Sequence, residues 1–229
     1  MKVLAIDTSN YTMGVALLDG DTVVGEIITN LKKNHSVRLM PAIEQLMKEC
    51  EIKPNQLEKI VVASGPGSYT GVRIGVTVAK TMAWSLNIPI VGVSSLAVLA
   101  ANGSYFSGYI CPLFDARRQQ VYTGLYEYTG ETITIIEEDQ IILIEDWLQQ
   151  LKELDTPILF LGNDVSIHQS IIRDTLGERA VFAKAPEYNP RPSELAFLGL
   201  KKEEQPVHAF VPNYIRLAEA EANWIANQK

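Results

Sequence analysis

A chain of 229 residues accommodates one large domain or two lobes of about 100 residues each. Apolar residues make up 47% and charged residues 21%, which is enough apolar side chain for a real core. A net charge of −7 argues against a protein that grips nucleic acid alone, because that task needs a basic face; the pairs Lys32–Lys33, Arg117–Arg118 and Lys201–Lys202 are isolated. Cys50 and Cys111 are too few for a disulfide framework and form no CxxC or Cys/His cluster, so a reducing cytoplasm is expected. Met1–Asp7 leads straight into a strand-like run without a signal segment. The most apolar stretch, 82–101, is interrupted by Asn87, Pro89, Gly92 and Ser94–Ser95, which reads as helix, strand, helix and not as a membrane span.

In chain order, Val3–Asp7 is a buried-type strand that ends in a carboxylate. Met13–Asp19 and Thr22–Thr29 are strands joined by the hairpin signal Asp19-Gly20-Asp21. Leu39, Ile43, Leu46, Met47 and Cys50 share one face of a helix over 36–50, with a kink or late start expected at Pro41. Ile60–Ser64 is a strand, Gly65–Gly71 a glycine-rich loop, Val72–Leu86 a helix and Ile88–Val93 a strand. Ser94 or Ser95 then caps a helix reaching Asn102. The order now repeats: strand Tyr109–Phe114 before Asp115, a hairpin of Gln120–Tyr128 and Glu131–Glu138, helix Ile144–Leu154, strand Pro157–Leu161, helix Asp164–Leu176, strand Ala180–Ala183, and a helix capped by Ser193 through Leu200.

Both halves read β-β-β-α-β-α-β-α, and a shift of 108 residues lays Asp7 on Asp115 and Leu17 on Leu125. Leading hairpins followed by βαβ units imply two mixed sheets covered by helices. The expected fold is therefore α/β, with duplicated actin-like (ribonuclease-H-like) lobes as in sugar kinases and chaperone ATPases, divided into 1–103 and 104–229. A terminal helix over 214–227 is expected to pack back across a lobe.

Two turns are candidates for chemistry. Asp7, Thr8 and Ser9 follow the first strand, and Asp115, Arg117 and Arg118 follow its repeat. Facing each other across a cleft, they would hold hydrated magnesium and phosphate, or would simply cap tight turns. An adenine pocket in this fold wants a glycine-paired turn, and Leu161-Gly162-Asn163-Asp164 has one glycine only. Gly65-Pro66-Gly67-Ser68-Tyr69-Thr70-Gly71 is not a Walker A loop; its glycines fit tight backbone turns better than phosphate binding. Gly71, Gly75, Ala79 and Ala83 form a ridge nearly free of side chain. It suits either the protein's own sheet or a partner helix. In the second case helix 36–50 joins it as half of an intermolecular four-helix bundle, with His35, Leu39, Ile43, Val72 and Val76 as further contacts. His35, His168 and His208 are scattered, so no metal site is expected, and no nucleophile motif is present.

Val3-Leu4-Ala5-Ile6-Asp7-Thr8-Ser9, the stretch Gly65–Gly75 with Ala79-Lys80, Val93-Ser94-Ser95-Leu96, Asp115-Ala116-Arg117-Arg118 with Val121-Tyr122, and Pro212-Asn213-Tyr214-Ile215-Arg216 together resemble the TsaB (YeaZ) family. The likeness runs from the first strand to the C-terminal region and is weakest over 131–190. It implies a non-catalytic, cytoplasmic partner of the TsaD catalytic subunit, working with the TsaE ATPase. That complex transfers threonylcarbamoyl to a tRNA adenosine beside the anticodon, so this chain would meet tRNA only through the complex. The resemblance also implies a heterodimer through the helix pair, a homodimer when alone, and no cofactor of its own. TsaD-like sequences carry Gly-Val-Asn-His-x-x-x-His, whose histidines bind the catalytic metal; here Ser95 and Leu99 stand at those places, and leucine cannot ligate. A small-molecule kinase of the same fold is the rival reading, and a metalloprotease a remoter one.

Overall fold

The structure, a computed structural model, describes residues 1–215. The first half runs β1 (Lys2–Asp7), β2 (Thr12–Asp19), β3 (Thr22–Asn30), α1 (Leu39–Glu49), β4 (Lys59–Gly65), α2 (Tyr69–Leu86), β5 (Ile90–Ser94) and α3 (Ser95–Ala100). The second runs β6 (Tyr109–Asp115), β7 (Gln120–Tyr128), β8 (Ile133–Leu143), α4 (Ile144–Lys152), β9 (Ile158–Leu161), α5 (Val165–Leu176), β10 (Ala180–Phe182) and α6 (Pro192–Leu200). Two five-stranded sheets result, ordered β3-β2-β1-β4-β5 and β8-β7-β6-β9-β10. In each, the first three strands pair antiparallel and the last two add in parallel, so the repeat read from element order is a repeat of topology.

Local chemistry explains most element boundaries. Ser68 starts α2 by accepting the Gly71 N–H at 3.2 Å, and Asn87 ends it in the left-handed C-cap at φ 54° and ψ 47°, two residues before Pro89. Ser94 caps α3, its hydroxyl accepting the N–H groups of Leu96 and Ala97 at 3.1 Å each. Pro41 sits in the first turn of α1, where it loses no helical hydrogen bond, and residues 35–37 form a separate 3-10 turn instead of the helix expected from 36. Two boundaries differ more. Ser193 does not cap α6: Arg191 stands at the N-cap position without a side-chain hydrogen bond, Pro192 takes the first position, and the Ser193 hydroxyl donates to Glu26 at 2.7 Å. Strand β8 continues past Glu138 to Leu143, because 140–143 still pairs with 120–123. The expected helix over 214–227 lies, from 216 onward, outside the described residues.

Alternation along the strands divides the core. Leu4 and Ile6 of β1 point to the face covered by α1 and α2; Val3 and Ala5 point to the other. That other face is covered by Leu195 and Ala196 of α6, from the opposite end of the chain. Reciprocally, Leu96, Leu99 and Ala100 of α3 pack with Ile110, Phe114, Tyr126 and Leu161 of the second sheet, whose far face is closed by α4 and α5. The last helix of each half thus lies against the other half's sheet. Fully burying side chains of this size stabilises by about 1.5–3 kcal/mol each, so the exchanged helices join the halves through apolar core.

Candidate functional site

The turn after β1 is stitched to the glycine loop. Ser68 N–H donates to Ser9 O at 2.7 Å and Thr8 Oγ1 donates to Gly71 O at 2.7 Å. A Cβ on Gly67 would meet Ser9 O at 2.2 Å, and one on Gly71 would meet Thr8 O at 2.2 Å. These glycines let one backbone lie on another, and the Ser68 N–H is already taken. Asp7 is buried, and its Oδ1 accepts the Ser9 N–H at 2.8 Å, the bond of a turn-capping residue. Burial pushes the Asp7 carboxyl above its ordinary range, against the pull of the Ser9 bond and of nearby His35. His35 Nε2–H donates to Asn10 O at 2.8 Å.

The matching turn after β6 differs. Asp115 Oδ1 lies 3.3 Å from Nε2 of buried His168 on α5, and the Asp115 N–H donates to Asp164 at 3.0 Å. Burial pushes the Asp164 carboxyl up, against that N–H. Arg117, Arg118 and Gln119 follow in succession at φ 64°, 53° and 60°, a left-handed turn that non-glycine residues take at a cost of about 1 kcal/mol or more each. It exposes Arg117 and Arg118 at the surface. Asp164 and His168 stand four apart at the start of α5, and Asp115 ends β6; sequence shows the helix spacing but not that the helix start meets the end of β6.

A third polar cluster escaped sequence reasoning altogether. The hydroxyls of Ser94 and of Tyr126 on β7 both donate to Asp139 on β8, tying the cap of α3 to the second sheet. Burial pushes the Asp139 carboxyl up, against the two hydroxyl bonds.

The helix pair requires a correction. Gly71, Gly75, Ala79 and Ala83 form the expected ridge, but it lies on the chain's own sheet: a Cβ on Gly75 would stand 2.5 Å from Thr8 Oγ1 and 3.7 Å from Ile6 and Val62. Leu39, Ile43, Val72 and Val76 are buried in the same core. Of the nominated contacts only His35 reaches the surface, and it does so partly. The side that remains open carries Arg73, Thr77, Thr81 and Trp84 on α2, with Tyr69 at its start. Trp84 is 64% exposed and Tyr69 45%, and beside α1 Val37 is 69% and Met40 48% exposed. Arg73 stacks on Tyr69 at 5.2 Å, and Tyr214 packs against the same ring at 5.0 Å. The signal was available in sequence: these positions lie out of phase with the small-residue ridge, and a tryptophan there has no core to enter.

Duplicated sheets of this order, with a turn after each first strand, define an actin-like α/β protein. A ROK hexokinase from Thermus thermophilus shares the fold at a TM-score of 0.52 and 12% identity, over 88% of this chain and 100% of that one. The YeaZ structure from Pseudomonas aeruginosa superposes at a TM-score of 0.77 with 23% identity, over 93% and 99% of the two chains. The family model for TsaD, tRNA N6-adenosine threonylcarbamoyltransferase, matches residues 22–224. The tRNA threonylcarbamoyladenosine biosynthesis protein TsaB of Bacillus subtilis (strain 168) is 61% identical over 229 residues, the whole of both chains. TsaB of Escherichia coli (strain K12) is 29% identical over 158 residues, covering 66% of this chain and 68% of that one. The chain belongs to the TsaB (YeaZ) family. Among the described residues, no helix is long and apolar enough to cross a membrane.

Proposed function

We propose that this chain is a non-catalytic, cytoplasmic subunit of the machinery that makes threonylcarbamoyladenosine in tRNA, docked on a TsaD-type catalytic subunit. The observation that carries the non-catalytic part is the state of the two positions where TsaD-like sequences hold metal-binding histidines. Leu99 is fully buried in the core shared by the two halves, against Phe114, Tyr126 and Leu161. Ser95 is fully buried beside it, at the start of the same helix. Leu99 packs in apolar core and offers no ligand, and the lone Ser95 hydroxyl is a poor substitute for imidazole.

Docking is assigned to the outward faces of α1, α2 and the 3-10 turn before α1, through Trp84, Tyr69, Arg73, Val37 and Met40. Aromatic and arginine anchors on an exposed apolar face are the side chains that carry most binding energy in protein interfaces. The same face would pair two copies when the chain is alone. A TsaE-type ATPase and tRNA join through the assembled complex, consistent with the chain's net charge of −7.

The test is co-elution with the catalytic subunit. Trp84→Glu places a charge on this face and is expected to weaken the heterodimer by at least tenfold while the chain alone keeps its melting temperature. Unchanged co-elution of that variant would remove this face from the proposal.

A further inference from the structure

A two-lobed protein that handles a ligand between its lobes closes by bending about a hinge, and the ligand supplies the closing contacts. In this chain the joint is the apolar core around α3. Away from that joint the halves also meet through α6 on the first sheet, through the Glu26–Arg191 pair, and through a set of uncharged amides. Thr12, at the start of β2, donates its hydroxyl to Asn189 Oδ1 at 3.0 Å. Asn163, in the turn between β9 and α5, donates to the same oxygen at 2.8 Å and to Tyr188 O at 3.2 Å. Its own Oδ1 accepts from Asn30, at the end of β3, at 3.0 Å. Asn102, in the turn after α3, donates to Asn189 O at 2.7 Å and to Glu187 O at 2.9 Å. Three side chains, Thr12, Asn163 and Asn102, converge on the short segment 187–189, and Asn30 reaches it through Asn163.

We infer that Asn189 is the centre of a built-in clasp that holds the two halves closed without any ligand. The Thr12 and Asn163 bonds are lost together with one side chain because they share the Asn189 Oδ1 acceptor. None of the clasp's bonds involves a charged side chain, so they do not weaken with salt as the neighbouring Glu26–Arg191 pair does. Asn163 belongs to the turn that a nucleotide-binding member of this fold would keep free. Here both ends of its amide are engaged by Asn30 and by Asn189 and Tyr188. The clasp makes the chain one rigid body, and this conclusion does not depend on the docking proposal.

The experiment places one spin label on each side of the mouth, at Lys33→Cys and Ile167→Cys, both exposed positions, in a Cys50→Ser background of the full chain. Pulsed electron resonance should give a single narrow distance distribution, unchanged by magnesium-ATP. Asn189→Ala should broaden it and move it to longer distance, whereas Asn189→Asp, which keeps the acceptor oxygen for Thr12 and Asn163, should not. Asn30→Ala removes only the outermost bond and should give a smaller broadening, which keeps the test valid if Asn189→Ala fails to fold. A distribution that stays narrow in Asn189→Ala, or in Asn30→Ala where the former does not fold, would overturn the clasp. So would a parent protein that is already broad and narrows only with nucleotide.

Discussion

Gly75 shows how far a single position can be read. Its role as a small residue on a regular ridge follows from the four-residue spacing, but the ridge's neighbour does not, because a smooth helix surface fits a sheet as well as it fits another helix. With the position of a Cβ only 2.5 Å from Thr8 Oγ1, Gly75→Leu is expected to destabilise the isolated chain by about 1–3 kcal/mol or more through overpacking, measured by urea denaturation. A stable Gly75→Leu monomer would contradict the packing described. Asp7 gives a pH-dependent prediction. Burial raises its folded carboxyl above the ordinary value of 3.8, so between that value and the raised one the folded state binds more protons than the unfolded state. Stability from this group therefore falls as pH rises through the window. Asp7→Asn keeps an acceptor for the Ser9 N–H and removes the titration. Its melting temperature should match the parent's near pH 3.8 and exceed it at pH 7; a variant less stable at pH 7 would contradict the direction. The position of Asp7 at a strand end was legible; its stitching to the glycine loop was not, since Ser68 and Ser9 are far apart in sequence.

At the scale of elements, strand and helix existence was legible almost throughout, because hydrophobic period and capping residues are local. What the sequence could not assign was where α3 and α6 go. Both are short and carry buried apolar residues on more than one side, so periodicity gives them no direction. The placement of α6 is enforced by Glu26 on β3, which accepts hydrogen bonds from Arg191 and Ser193. Burial pushes the Glu26 carboxyl up, but those two partners outweigh it and hold it below its ordinary value of 4.5. The stabilisation is thus present above that pH and lost as pH falls through the lowered value. Glu26→Ala should cost about 1–3 kcal/mol near neutrality, and its deficit against the parent should shrink under acid conditions in paired thermal melts. A deficit independent of pH would place the effect elsewhere. On α2 the same local logic applies to both sides: the four-residue spacing marks the buried ridge, and Trp84 lies out of phase with it on the exposed side.

For the whole molecule, the duplication was readable as a rhythm of elements, and the two sheets repeat it strand for strand. The exchange of last helices and the amide clasp were not readable, because both depend on residues from opposite ends of the chain. Family membership rests on motifs spread from β1 to the segment beyond Phe210, and full-length identity with a TsaB protein agrees with it. On the function proposed, the chain is required for tRNA modification and performs none of its chemistry. The most direct measurement is tRNA threonylcarbamoylation reconstituted from a TsaD-type catalytic subunit, a TsaE-type ATPase and the adenylate-forming enzyme, with this chain present, absent, alone, or replaced by Trp84→Glu. Modification is expected only when the chain accompanies the catalytic subunit, reduced with Trp84→Glu, and absent from the chain alone. Equal modification with and without the chain, or modification by the chain alone, would contradict that function.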